Sequence, residues 1–78
     1  MFGKGRIMNQ VSPKTLIHSK WTKVSPVNKE KHFVIIDVET DDTQRVIGCT
    51  IQAVINANEY LIDWRELKNS DFWRQGWQ

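Results

Sequence analysis

The chain of 78 residues lacks most of the features that reinforce a small domain. Its single cysteine, Cys49, allows no internal disulfide and no cysteine-rich metal site. No apolar run approaches the roughly 18–20 residues of a membrane span, and no apolar stretch near the N-terminus resembles a secretory signal. A lone free cysteine is typical of a reducing compartment. We therefore predict a cytoplasmic protein with no membrane segment.

Charge of neither sign dominates, but the charges are unevenly distributed. Eleven Lys and Arg residues against nine Asp and Glu residues give a net charge of +2. Residues 1–31 hold seven basic side chains against one acidic, for +6, whereas residues 32–78 hold four against eight, for −4. Such asymmetry is typical of a basic surface that meets an anionic partner. Pairing of the basic segment with the acidic remainder of the same fold would produce the same pattern.

Tryptophan is the residue that the chain has in excess, at Trp21, Trp64, Trp73 and Trp77. Each tryptophan buries roughly 150–250 Å², and a domain of this size needs large apolar side chains to offset the entropy lost on folding. We therefore predict that the four indoles are mainly core. On that basis Trp64→Ala should cost about 3–5 kcal/mol of stability.

The pattern of residues 32–64 predicts strands. Alternating apolar side chains define three strands near 32–40, 44–56 and 58–64, and the short turns between them make the strands antiparallel. The middle strand is long, so we expect a bend at Gly48. The predicted fold is mainly β: a small antiparallel meander of three to four strands. It becomes barrel-like if an extended segment near residue 21 adds the fourth strand.

Alternation also predicts which side chains share a face. Val34, Ile36 and Val38 are expected on one face of the first strand, with Phe33 and Ile35 on the other. The core-facing residues of the next two strands are predicted to be Ile47, Cys49, Ile51, Ala53, Ile55, Tyr60, Ile62 and Trp64.

Short helical turns are predicted at both ends of the meander. Ser12 reads as a helix N-cap, with Pro13 at the first helical position. A second turn is predicted over residues 69–76, which would place Trp73 and Trp77 on one helical face. We expect this aromatic pair to cover an end or a face of the sheet.

One domain is predicted. Residues 1–10 contain two glycines and two basic residues without periodicity, so they are predicted to be a flexible N-terminal extension. Residues 11–78 are predicted to form a single small β domain.

Catalytic and metal-binding patterns are weak throughout the chain. Cys49 alternates with isoleucines, where burial would raise its pKa and make the thiol inert. His18 and His32 are too widely spaced to form a zinc motif with that cysteine. The acidic residues near 37–42 lack the ligand spacing of a calcium loop. We therefore expect a non-enzymatic protein without a metal or cofactor.

One combination of residues points to a binding function. In the segment KWTK, residues 20–23, an indole lies between two cations. Single-stranded nucleic acid is commonly held by bases that stack on aromatic rings in a cationic groove. We therefore predict a binding module for RNA or single-stranded DNA. The predicted nucleic-acid-binding residues are Lys20, Trp21, Lys23, Lys29, Lys31, Arg65 and Arg74.

Alternative interpretations fit the same residues. The indoles could be buried, with the Lys and Arg stems only covering apolar edges. The chain could also be a protein–protein interaction module or a homo-oligomerising structural subunit, because a meander leaves an edge strand that can accept another strand. In that case Phe33 and Ile35, or Trp77, would anchor the partner.

Several strings of residues recur in a known group of proteins. They are SPKTL at 12–16, SKWT at 19–22, NKEKHF at 28–33, IDWRELK at 62–68 and WRQGW at 73–77. With these strings the chain resembles a family of small bacterial tryptophan-rich proteins with no assigned function. The resemblance covers about residues 8–78. It implies no activity, ligand or site residue.

Overall fold

The computed structural model describes residues 9–78, so residues 1–8 of the predicted N-terminal extension lie outside the described residues. The strands are β1 (Lys20–Val27), β2 (Glu30–Thr40), β3 (Val46–Ala53), β4 (Glu59–Ile62) and β5 (Trp73–Gln75). Two 3₁₀ helices complete the fold, η1 (Pro13–Thr15) and η2 (Trp64–Lys68). The strands form one open antiparallel sheet in the order β4-β3-β2-β1-β5. The predicted mainly β class and the extra strand at Trp21 are confirmed, but within residues 9–78 the barrel-like closure expected with that strand does not occur, because β4 and β5 remain unpaired edges of the sheet.

The first hairpin is tighter than the sequence predicts. Asn28 and Lys29 both have positive φ, 55° and 65°, as the central residues of a two-residue hairpin turn require. Val27 pairs with Glu30 directly across this turn. Of residues 27–31, which are mostly polar and charged, only Asn28 and Lys29 lie outside β1 and β2.

A bulge in β2 changes which residues face the core. The ladder with β3 shifts register between Ile35 and Asp37, and Ile36 has no partner in it. A one-residue bulge reverses the alternation of faces beyond it. Val38 consequently pairs with buried Cys49 and packs against the core. The common face predicted for the even-numbered residues of β2 is wrong, because the hydrophobic pattern carries no sign of the extra residue.

A second register shift occurs in β3 beside Gly48, where a bend is predicted. Gly48 pairs with Glu39, and the next paired residue is Val46. Ile47, which the ladder skips, is exposed, as is Ile55 in the turn after β3. The prediction that these two isoleucines face the core is wrong. Tyr60, on the edge strand β4, is 40 % exposed.

The core lies on one side of the sheet, here called the inner face. It contains Leu16, Trp21, Phe33, Ile35, Cys49, Ile51, Ala53, Leu67 and Trp73. Leu16 directly follows η1 and Leu67 lies in η2. Each helix begins at a capping side chain: Ser12 accepts from the Lys14 amide and Asp63 from the Arg65 amide. The opposite side of the sheet is called the outer face.

The four tryptophans have three different environments. Trp21 and Trp73 are buried, as predicted. Trp64 is partly buried against the core, and Trp77 is 45 % exposed. The prediction of a mainly buried indole is therefore wrong for Trp77, because the chain turns away from the core before it.

The C-terminal segment is a strand where a helical turn is predicted. Asn69 does begin a turn, since its carbonyl accepts from the amides of Phe72 and Trp73. The chain then joins the free edge of β1, where Trp73 pairs with Lys23. The ladder to β1 supplies hydrogen bonds that a local turn cannot, so tertiary pairing overrides the local signal.

Cys49 provides a direct check on the inner face. The thiol is free and buried, and burial raises its pKa to about 11, with a smaller contribution from the Asp37 carboxylate. Because the thiolate is the reactive form, we expect negligible alkylation by iodoacetamide in the native protein at about pH 8. The urea-unfolded chain should react fully. Rapid alkylation of the native protein would contradict this burial.

Candidate functional site

Trp21, the central residue of the predicted binding surface, faces the core. It is only 2 % exposed, and its Nε1 donates a hydrogen bond of 2.9 Å to Ser19 Oγ. The Ser19 hydroxyl in turn donates to the Leu16 carbonyl, which ties the indole to the segment after η1. The ring offers no face on which a base could stack.

Two of the predicted cations have partners away from the outer face. Lys23 lies on the inner face, with Nζ 5.8 Å from the centroid of the Trp73 ring. Arg65, in η2, donates to both carboxylate oxygens of Asp63, with Nε and Nη2 distances of 3.1 and 2.9 Å. These hydrogen bonds lower the pKa of Asp63 and raise that of Arg65. Neither cation is adjacent to Lys20.

Lys29 and Lys31 are exposed at the turn between β1 and β2. Lys20 lies at the other end of β1, where it pairs with Val34. Seven residues of strand separate Lys20 from the turn, which corresponds to roughly 20 Å. The predicted basic surface is therefore divided into separate groups of cations.

One group surrounds Trp77 on the outer face. Lys20 Nζ lies 4.7 Å from the centroid of the Trp77 ring, and the ring of His32 lies 6.0 Å away at an interplanar angle of 34°. Arg74 shares this face, because it pairs with Thr22, which also pairs with His32. We call Lys20, His32, Arg74 and Trp77 the outer-face cluster.

The backbone holds Trp77 in this position. Gly76 has a φ of 77°, a left-handed conformation that glycine adopts at little cost, and it turns the chain out of β5. The Gly76 carbonyl accepts from Thr22 Oγ1 at 2.7 Å, and Trp77 Nε1 donates to the Phe33 carbonyl at 2.9 Å. Trp73 and Trp77 consequently lie on opposite faces of the sheet. The prediction that they share a face is wrong.

Sequence reasoning missed Trp77 and His32 as members of the basic surface. The available signal is Gly76, the last residue of the turn predicted over residues 69–76. A glycine in the left-handed conformation directly after a short strand changes the direction of the chain, and at Gly76 this would predict a turn before Trp77. His32 carried no local signal, since the pairing of β1 with β2 brings it to the indole.

A buried carboxylate lies on the inner face beside the turn of the first hairpin, where several side chains donate hydrogen bonds to it. Glu30 is 5 % exposed and accepts from Tyr60 Oη at 2.7 and 2.9 Å. The side-chain amides of Asn56 and Asn58 donate to its Oε2 at 2.8 and 3.0 Å. These hydrogen bonds, that of Tyr60 foremost, lower the pKa of Glu30. Glu30 therefore links the first hairpin to the turn between β3 and β4.

Residues 9–78 contain neither a cluster of metal ligands nor a membrane-spanning helix. No three His, Cys, Asp or Glu side chains of this part of the chain lie close enough together to bind a metal ion. The helices of the same residues are too short and too polar to cross a membrane.

Comparison with known proteins gives one match. A family described as tryptophan-rich protein (DUF2389) matches residues 19–78, a range that includes all five strands and η2. This match confirms the resemblance drawn from the residue strings. No curated protein and no solved structure matches the chain.

Proposed function

The chain belongs to the tryptophan-rich protein family DUF2389, and we propose that it is a non-enzymatic module that binds single-stranded RNA or DNA. The proposed binding site is the outer-face cluster, which contains its one well-exposed indole. The observation that carries the proposal is the position of Trp77, 45 % exposed on a sheet surface and flanked by cations. The free thiol of Cys49 is compatible with a cytoplasmic location, which forms part of the same proposal.

Stacking is the first contribution to binding. An aromatic ring on a sheet surface can stack with any base, and each such contact contributes about 1–3 kcal/mol. The hydrogen bond from Trp77 Nε1 to the Phe33 carbonyl fixes the indole before a ligand arrives. A base that stacks on this ring therefore loses little affinity to ordering of the side chain.

Phosphate contacts are the second contribution. Lys20 and Arg74 lie on the same face as the indole, so a strand whose base stacks on Trp77 would place its phosphates near both cations. Lys29 and Lys31, at the end of the first hairpin, extend the positive potential along the sheet. With four or five phosphate contacts, affinity should fall roughly 100-fold between about 50 and 200 mM salt.

Charge reversal tests the proposal. The double variant Lys20→Glu and Arg74→Glu should weaken binding of a fluorescein-labelled oligonucleotide of about 12 nucleotides by at least roughly 100-fold in fluorescence anisotropy. Lys14→Glu is the control for a single charge reversal, because Lys14 is exposed on η1, away from the outer face. The far-UV circular dichroism of each variant should match the parent.

Two comparisons decide whether the indole and these particular cations form the site. Trp77→Ala should weaken binding roughly 5- to 100-fold, whereas Trp77→Phe should retain most of the affinity. The double variant Lys29→Glu and Lys31→Glu carries the same charge change and should have a smaller effect than Lys20→Glu with Arg74→Glu. The reverse order, or no effect of Trp77→Ala, would contradict a site at the outer-face cluster.

Protein binding is the outcome to expect if oligonucleotides do not bind. Strand β4 is an edge of the sheet, and Leu61 on it is 83 % exposed. The anchors predicted from the sequence for a partner, Phe33 and Ile35, are buried side chains of the central strand β2, and a partner strand paired with the edge strand β4 would not contact that strand. Unfolding that depends on protein concentration, together with no oligonucleotide binding, would favour an oligomer formed along β4.

A further inference from the structure

The inner face contains a cavity of about 370 Å³ that the proposed nucleic-acid site does not use. Its aromatic lining consists of Phe33 from the central strand β2, Tyr60 from β4 and Trp73 from β5. The Phe33 and Trp73 rings meet edge to face, with centroids 5.2 Å apart at 87°. The Phe33 and Tyr60 centroids are 6.5 Å apart at 56°. Three rings from three strands therefore converge on one cavity, in which Tyr60 is 40 % exposed, Phe33 and Trp73 are nearly buried, and the Lys23 ammonium lies over the Trp73 ring.

The charged side chains in the lining are predominantly acidic. Glu30 and Glu66 contribute two carboxylates, and Lys23 contributes one ammonium group. Glu30 remains charged although it is buried, because Tyr60, Asn56 and Asn58 all donate to it. Aromatic faces beside carboxylates attract cations, and quaternary ammonium groups are recognised in this way.

Lys23 already places a cation at this position. Its Nζ lies 5.8 Å from the Trp73 ring centroid, and its charge acts favourably on the Glu30 carboxylate. The ammonium group of Lys23 is at the end of a flexible four-carbon side chain, so it can move away from these groups. An external cation could therefore replace it while the strand stays in place.

We propose that the cavity formed by Phe33, Tyr60 and Trp73 binds an alkylammonium group, which displaces the ammonium of Lys23 from the Trp73 ring. The group can belong to a small quaternary amine or to a methylated lysine side chain of a peptide, since both present the same cation. The site is independent of the outer-face cluster, because the two lie on opposite faces of the sheet.

Titration with a cation and its neutral isostere tests the proposal. Choline should shift the indole N–H signal of Trp73 in ¹H–¹⁵N NMR spectra of the full chain, and 3,3-dimethylbutan-1-ol, which has the same shape without the charge, should bind at least roughly tenfold more weakly. A short peptide that carries trimethyllysine, compared with the same peptide carrying acetyllysine, identifies the source of the cation. Tighter binding of the trimethyllysine peptide than of choline would indicate a peptide ligand.

Variants separate the cation site from general apolar binding. Lys23→Met removes the competing ammonium and should strengthen choline binding several-fold. Glu66→Gln should weaken it several-fold, whereas Glu59→Gln is the control, because Glu59 is exposed and pairs with Gln52 on β3. Trp77→Ala should leave choline binding unchanged, which distinguishes failure of this proposal from failure of the nucleic-acid proposal.

Two results would overturn the assignment. One is equal binding of choline and the neutral alcohol, which would show that charge plays no part. The other is the absence of a shift with choline and with the trimethyllysine peptide in both the parent chain and Lys23→Met. Folding of each variant is checked by the dispersion of its own spectrum, so that loss of structure is not read as loss of the site.

Discussion

Replacement of Trp21 by alanine is expected to lower the free energy of unfolding by about 3–5 kcal/mol. The indole is 2 % exposed on the inner face, opposite Phe33 in the ladder between β1 and β2. Its removal leaves a cavity in the core and breaks the hydrogen bond from Nε1 to Ser19 Oγ. A domain of this size has a stability of about 5–10 kcal/mol, so the variant should lose a large part of it.

Urea denaturation followed by far-UV circular dichroism measures this loss. Trp77→Ala is the matched control, since the same side chain is removed from an exposed position, and it should cost less than about 1.5 kcal/mol. Trp64→Ala should lie between the two, below the 3–5 kcal/mol predicted from the sequence, because Trp64 is only partly buried. Equal losses for Trp21→Ala and Trp77→Ala would contradict the different burial of the two rings.

Glu30→Gln is expected to lower the melting temperature by on the order of 10 °C. The glutamine has the same shape, but its NH₂ group would face donors where a carboxylate now accepts from Tyr60, Asn56 and Asn58. These contacts join the first hairpin to the turn between β3 and β4. The substitution removes a charged acceptor that several donors share, which costs more free energy of unfolding than the loss of one hydrogen bond between neutral groups.

The pH dependence of stability provides the second measurement for Glu30. Its pKa in the folded protein lies below the ordinary value of 4.5. The unfolded chain therefore binds a proton first as the pH falls, and the folded state loses stability below about pH 4.5 until the folded carboxylate is protonated too. Glu30→Gln should make the melting temperature less dependent on pH in this range, and Glu59→Gln should leave that dependence unchanged. An unchanged pH profile in Glu30→Gln would assign the acid sensitivity to other carboxylates, such as Asp41 and Asp63.

The strands could be predicted because their signals are local. Alternation of side chains across a pleat follows from backbone geometry. It therefore predicts β2, β3 and β4 without any knowledge of tertiary contacts. The cap at Ser12 was equally readable, because the capping hydrogen bond spans two residues. The bulge at Ile36 was not readable, since a bulge is a relation between two strands and leaves the composition of each unchanged.

The candidate sites were less predictable than the strands. Lys20 and Arg74 belong to one surface, but Trp21 faces the core and Arg65 pairs with Asp63. Trp21 is next to Lys20 in sequence, which is why the two are predicted to share a surface. Neighbouring side chains of a strand point to opposite faces of the sheet, so they do not. The indole that lies beside Lys20 in the structure, Trp77, is more than fifty residues away from it in sequence.

By itself, the sequence determined that this chain builds an antiparallel sheet sealed by apolar and aromatic side chains, because the period of the pattern and the turn residues act over a few positions. Only the tertiary structure decided which indoles are buried, where the C-terminal strand pairs, and which rings and charges share a face. These features depend on hydrogen-bond register between distant segments. A shift of one residue in that register exchanges the inner and outer faces.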